Sequence, residues 1–510
     1  MATRDLLSGP ITLSAAKYKS SNVLHALRYP LLKAQFYARI ERQRHLLSRL
    51  VAHHLGTDEA RVTVSPQEYW LHGSFNLCVP VMIDVEGEEA RFPQFALIRF
   101  PLPYSVGEET HRGNSDEKLR TEAATYAWIG ENCPDVPIPR LYGFGLSTKQ
   151  RFSHVSNLPW WSRWFQHVRR LTLTVLGREK PSQLVPHQCA SIAELDVGYL
   201  LIQTITAATG TMLSDSWDDK YTDPRRQENL QRDLARIMLS LARTSLPHIG
   251  AFRIDDAGCL RLDNRPLARH TLTSVRDFVL RHIDDLSARL LQQPNATESR
   301  EDAHNQMASL AGAAALLPQL FRRELDRGPF VLALTDLHRS NILVDDDWRV
   351  VGVIDLEFAC SWPVEFVQPP HWLGGEMLDE ITIHSFADKH EGFLRHVEHE
   401  EALMDRPSAE MRGGELLSTT MRQGWSLGTF WATLALMHPI AFTEILYDRL
   451  LRDFLGASKD EANVDRTFYA RFWRKDIDSI VEAKLRDYEE YNKELSLFFA
   501  EDATSRGNTI

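Results

Sequence analysis

The chain has 510 residues and a net charge of −11, with 43% hydrophobic and 25% charged residues. That is the composition of a globular protein large enough for two lobes with their own cores. The acidic balance argues against a general nucleic-acid binder and suits a cationic substrate. Five scattered cysteines (Cys78, Cys133, Cys189, Cys259, Cys360) without C-x-x-C spacing argue for a reducing compartment and against a disulfide framework or a zinc site. With no apolar leader and no apolar run of about eighteen residues, no transmembrane segment and a cytoplasmic location are expected.

Residues 1 to about 64 read as a helical extension. Leu31-Leu32-Lys33-Ala34-Gln35-Phe36 through Val51 sets apolar residues at helical spacing, a face for packing on the lobe that follows. From Pro66 the period changes. Glu68 to Leu71, the turn Gly73-Ser74-Phe75-Asn76, and Leu77 to Ile83 read strand, turn, strand; Phe95 to Phe100 is a third strand, and a helix spans about Glu117 to Glu131. Val136-Pro137-Ile138-Pro139 leads into a fourth strand, and Tyr199 to Ile205 forms a fifth strand and hinge, closing an N-terminal lobe at 65–205. An insertion at 150–197 carries Trp160-Trp161-Ser162-Arg163-Trp164-Phe165, then Arg169, Arg170, Arg178 and Lys180. It is read first as an irregular loop that buries its aromatics, and second as a surface for a membrane or a partner. The remainder, 206–499, is a helical lobe interrupted by a hairpin at 330–362. Trp431 is expected in its core, and its last helix, from about Asp476, carries a solvated charged face. Residues 500–510 read as a disordered tail.

The hairpin carries the chemistry. Leu334-Thr335-Asp336-Leu337-His338-Arg339-Ser340-Asn341 precedes the apolar run Ile342-Leu343-Val344; after the turn Asp345-Asp346-Asp347-Trp348, Val350 to Ile354 delivers Asp355. Phosphoryl transfer is mostly positioning and charge neutralisation, and kinases set their groups in this order. Asp336 positions the acceptor hydroxyl, while Asn341 and Asp355 offer hard oxygens to magnesium. The three strands and helix upstream match a kinase small lobe. There the Gly73 turn lies over the ATP phosphates with the backbone N–H groups of Ser74 and Phe75 facing them. Arg99 stands where kinases place a third-strand Lys, with Glu122 on the next helix as its partner.

These motifs resemble the aminoglycoside phosphotransferase (choline kinase-like) family, especially its fungal members. Their loop typically reads His-Gly-Asp-Leu-His-x-x-Asn-Ile-Leu, followed by Ile-Asp-Trp-Glu. Asp336-Leu337-His338, Asn341-Ile342-Leu343, Ile354-Asp355 and Glu357 match, whereas Leu334 and Thr335 stand in place of His-Gly. The resemblance spans about 68–365. It implies an α+β, bilobal, protein-kinase-like fold with a small antiparallel β N-lobe and an enlarged helical C-lobe. It also implies ATP- and Mg2+-dependent transfer of a phosphoryl group to a small-molecule hydroxyl. The acceptor and the oligomeric state are not encoded. The alternative, drawn from Leu334 and Arg99, is a catalytically weak pseudokinase that binds nucleotide or a protein partner.

Overall fold

The computed structural model describes residues 3–87, 92–177, 181–264, 271–378, 380–404, 415–454 and 466–505. Two helices, α1 (Tyr29–Arg42) and α2 (Arg44–Leu55), lead into an antiparallel sheet. Its strands are β1 (Val62–Val64), β2 (Leu71–His72), β3 (Asn76–Ile83), β4 (Phe95–Pro101), β5 (Leu141–Gly145), β6 (Arg151–His154), β7 (Leu184–His187) and β8 (Tyr199–Gln203). The spatial order is β1-β3-β4-β8-β5-β6-β7, with β2 also paired to β3. The strand expected at Glu68–Leu71 is mostly a 3-10 turn, and the pairing on β3 is shared between β1 and β2.

Both faces of the sheet are apolar, so both must be covered. Ile98, Phe100, Tyr199 and Leu201 point to the face that packs on Ile40, Leu47, Leu50 and Val51 of α1 and α2. Phe144, Phe152, Leu200 and Ile202 turn to the opposite face and join the core of the second lobe, together with α3 (Asn114–Asn132). The start of α3 is set by Glu108, whose carboxylate accepts from Gly113 N and Ser115 N at 2.7 Å each.

The first residues do not share the role of α1 and α2. Ile11, Val23 and Leu27 pack on Tyr491, Leu495 and Phe499 of the last helix, and Val23 N donates to Tyr491 Oη at 3.2 Å. That helix, Ile477–Ser505, continues past Ala500, where a tail was expected; 506–510 lie outside the described residues. Within 150–197 the irregular loop is also corrected. Residues Trp160–Val175 form a helix, α4, that buries none of its side chains. Arg178 and Lys180 lie outside the described residues.

The second lobe is built on α5 (Pro224–Ala242), capped by Asp223 with Pro224 in its first turn, and on the later helices Val275–Gln292, Arg300–Leu316 and Ile383–Leu403. Against them lie β9 (Phe330–Ala333), the hairpin strands β10 (Ile342–Val344) and β11 (Val350–Val353), and β12 (Cys360–Pro363), which pairs with β9. Trp431 is 1% exposed, in the core as expected.

Gly143 on β5 lies under a fully buried histidine: a Cβ there would come 2.3 Å from His54 Nδ1 and 2.6 Å from Phe152 O. Gly143→Ala is therefore expected to destabilise the protein by about 1–3 kcal/mol, read by denaturant unfolding; a change near zero would show that α2 shifts freely on the sheet.

Candidate functional site

The hairpin brings its acids to the lobe boundary. Asp336 is exposed at the end of β9, and Asn341 is buried one turn later. Asn341 Nδ2 donates to the Asp336 carbonyl and to Asp336 Oδ2, both at 2.9 Å, which leaves the amide oxygen as the atom available to a cation. The Asn341 carbonyl accepts from Ile354 N at 2.9 Å, so the loop and the strand leading to Asp355 are tied directly. Asp355 sits at φ 61°, a left-handed conformation rare outside glycine, which turns its carboxylate out of the strand direction.

Arg99 spans two acids. One guanidinium nitrogen is bonded to Glu122 on α3, and Nη2 donates to Asp355 Oδ1 at 2.7 Å. A planar fork makes this double contact, which a compact ammonium would not reproduce. The ammonium is supplied from elsewhere. Lys118, one helical turn before Glu122, pairs with Glu357, donates to Asn76 Oδ1 at 2.8 Å, and lies 3.5 Å from Glu122 Oε2. Asn76 Nδ2 donates to Glu357 Oε2 at 3.0 Å. Lys118 was not singled out in the sequence, although its i,i+4 spacing to Glu122 was a usable signal.

Carboxylate oxygens of Glu122, Asp355 and Glu357 lie within 4.8 Å of one another, and Glu357 Oε1 is buried without a hydrogen-bond partner among the described residues. A set of hard oxygens with one orphaned acceptor fits magnesium, with Asp355 its most accessible member. Arg99 holds the Asp355 carboxyl below its ordinary range against the effect of burial. Burial, with the Asp355 charge, raises Asp336.

The turn before β3 places Gly73 and Ser74 at the surface, while the Phe75 ring packs edge-on against Phe358 at 5.5 Å, joining the turn to the segment after Asp355. At the hinge, Gln203 N already donates to the Arg140 carbonyl at 2.8 Å. Ile205 lies over Gly352, where a Cβ would meet Ile205 Cδ1 at 2.2 Å.

The loop that lacks the family His is held by other groups. Thr335 Oγ1 donates to the Phe358 carbonyl at 2.7 Å, and Trp372 Nε1 donates to the Leu337 carbonyl at 2.9 Å. Arg339 stands over the Trp217 ring at 4.9 Å, and Trp217 stacks on Trp348. Asp345 accepts from Asp347 N and Arg349 N and so closes the turn.

A small antiparallel sheet and a helical lobe meeting at these acids define a bilobal α+β fold of the protein-kinase-like kind. Residues 163–366 match the model of the phosphotransferase enzyme family (APH), which classes this region, including Asp336, Asn341 and Asp355, with phosphotransferases. No curated protein matches the chain significantly. Among solved structures, the chain is similar to the gentamicin–APH(2")-IIa complex at 9% identity and TM-score 0.38, covering 83% of this chain and 97% of that one. It is also similar to the Plasmodium vivax ethanolamine kinase at 11% identity and TM-score 0.34, covering 83% and 82%.

Burial drives the Glu357 carboxyl up to about 7, against the pull of Lys118 and with repulsion from Glu122 and Asp355. A folded pKa above the unfolded value favours the folded state in acid and withdraws that gain as pH rises towards 7. Glu357→Gln is expected to reduce the loss of unfolding free energy between about pH 5 and 7.5. An unchanged pH dependence would assign that loss to other groups.

Proposed function

We propose that the protein transfers the γ-phosphoryl group of ATP to a hydroxyl of a small molecule, with magnesium as cofactor. The observation that carries this reading is the double anchoring of Asn341. Its side chain fixes Asp336, and its backbone carbonyl fixes the strand end that presents Asp355. The group for the acceptor and the group for the metal are therefore held on one rigid frame, as in-line transfer requires.

In this reading Asp336 orients the acceptor hydroxyl and takes its proton; a carboxyl raised by burial is the better base near neutrality. Asn341 and Asp355 hold the magnesium, which when bound neutralises charge on the phosphates. Arg99, steadied by Glu122, and Lys118 face the phosphates as fixed cations. The backbone of Gly73, Ser74 and Phe75 covers them, and Thr204 and Ile205 border the base.

A second reading keeps one observation on its side. Arg99 and Lys118 are paired with Asp355 and Glu357, and Phe75 rests on Phe358, so the acids are already neutralised and the turn already seated. That arrangement suits a nucleotide-binding or interaction module without turnover.

Thermal unfolding with ATP, with and without magnesium, and ADP release over a hydroxyl library separate the two. Asp336→Asn is expected to lower kcat by about 10^2–10^4-fold while nucleotide binding persists, and Asp355→Ala to remove the magnesium-dependent stabilisation. Stabilisation by ATP without turnover on any hydroxyl favours the binding module; no stabilisation at all sinks the transfer reading and the nucleotide-binding module.

A further inference from the structure

A cavity of ≈ 430 Å³ opens beside Asp336, within the size range of small-molecule sites. Its wall is apolar over most of its extent, with Met238, Leu241, Leu334, Trp362, Phe430 and Leu434 among its lining. Asp336 is the single charged side chain among the described lining residues. Three histidines, His338, His371 and His438, complete the rim. Burial lowers all three, His371 to about 3, so they stay neutral and add no charge to the wall.

Gln368 and Thr433, which also line the cavity, each carry a buried polar atom with no partner among the described residues, Gln368 Oε1 and Thr433 Oγ1. Thr433 is 6% exposed. The Gln368 amide is oriented, because Nε2 donates to the Glu365 carbonyl at 2.7 Å. Gly424 makes room for it: a Cβ there would fall 2.6 Å from Gln368 Nε2. Buried polar atoms without partners carry a penalty that a bound donor removes. A charged body in this wall would find one carboxylate, already assigned to the reacting hydroxyl, and would bury its other charges unpaired.

We propose that the phosphoryl acceptor is an uncharged alcohol with a mainly apolar body and a second hydroxyl or amide hydrogen, bound by Gln368 Oε1 and Thr433 Oγ1. This rests on Asp336 as the acceptor's partner. The acidity of the whole chain, which suited a cationic substrate, is not concentrated in this pocket.

The test uses neutral polycyclic diols, the matching mono-ols, their amino-substituted analogues and aminoglycosides. ADP release is read together with calorimetric binding to Asp336→Asn. Neutral diols are expected to be the preferred acceptors. Gln368→Ala and Thr433→Val should raise KM for diols by about tenfold, with kcat little changed and mono-ols unaffected. Preference for the amino analogues or aminoglycosides overturns the proposal, as does an equal effect of the variants on diols and mono-ols. If nothing is phosphorylated, the phosphotransfer reading fails. Binding then decides the pocket: diol affinity weakened by the variants sustains the proposal, and no diol binding overturns it.

A separate observation concerns α4. Trp160, Trp161, Trp164, Phe165, Leu171 and Val175 form one apolar face open to solvent, with Trp160 74%, Trp164 66% and Val175 79% exposed. On a helical projection Arg163 and His167 border that face on one side and Arg169 on the other. The helix carries no acid, in a chain of net charge −11. Arg170, on the opposite side, holds the helix to α3 through both oxygens of Glu131, at 3.1 and 2.9 Å. Amphipathic tryptophans flanked by Arg163 and Arg169, with no acid on the helix, complement the interface of an anionic bilayer. We infer that α4 docks the protein on an anionic membrane surface.

Co-sedimentation with phosphatidylcholine vesicles, with and without about 30% phosphatidylserine, reads this directly. Binding is expected only to the anionic vesicles, weakened by salt and lost in Trp161→Glu/Trp164→Glu with the melting temperature kept. Absence of binding overturns the inference, as does binding unaffected by the variant. Self-association of the chain abolished by the same variant, without vesicle binding, would assign the face to a second copy instead.

Discussion

The contact of Arg99 with both Glu122 and Asp355 is the constraint on which the site depends. It is nearly buried, with 7% of the Arg99 side chain exposed and none of Glu122, and it joins the sheet, α3 and the hairpin of the second lobe. Leaving one member of such a group unpaired costs about 3–5 kcal/mol, far more than an exposed ion pair contributes. The lobes are thereby locked in register at the place where charge must be controlled. Lys118 and Asn76 extend the lock to Glu357, so two cations stand among three carboxyl groups, one of which, Glu357, burial raises to about 7.

The second constraint is the loop around Asp336. Relatives of the resembled family place a histidine before the aspartate. Here Leu334 faces the cavity, and the loop is held instead by Thr335, Trp372 and the Asn341 amide. The Trp217–Trp348 stack, with Arg339 above it, braces the far side. Moving the support from a histidine to hydroxyl, indole and guanidinium groups leaves an apolar residue free to line the cavity beside Asp336. The departure that favoured an inactive protein thus has a structural role of its own.

Much of this was legible from local pattern. Asp336, Asn341 and Asp355 stand at fixed spacing on strands of β-branched residues, and Ala96-Leu97-Ile98-Arg99 followed by a helix bearing Glu122 marks an ion pair. Other elements were misread because the deciding contacts are distant in sequence. The N-terminal segment packs on residues more than 460 positions away, through Val23 and Tyr491. Trp160 to Phe165 read as aromatics in need of burial, since apolar residues usually are buried; the 3.6 periodicity that puts them on one solvent face shows only over the longer span to Val175. Lys118 was passed over because its partners, Asn76 and Glu357, are separated from it by 42 and 239 positions.

By itself the sequence determined the order of Asp336, Asn341 and Asp355, because short spacing within a loop and a strand sets which side chains can share one small volume. It also determined the two-lobed α+β plan, through the switch from period-two strands to long helical segments. Only the tertiary structure decided how Arg99 is shared between Glu122 and Asp355, what holds the loop that has Leu334, and the apolar character of the cavity wall beside Asp336. These depend on which side chains distant segments bring within a few ångströms, and on which polar atoms burial leaves without partners.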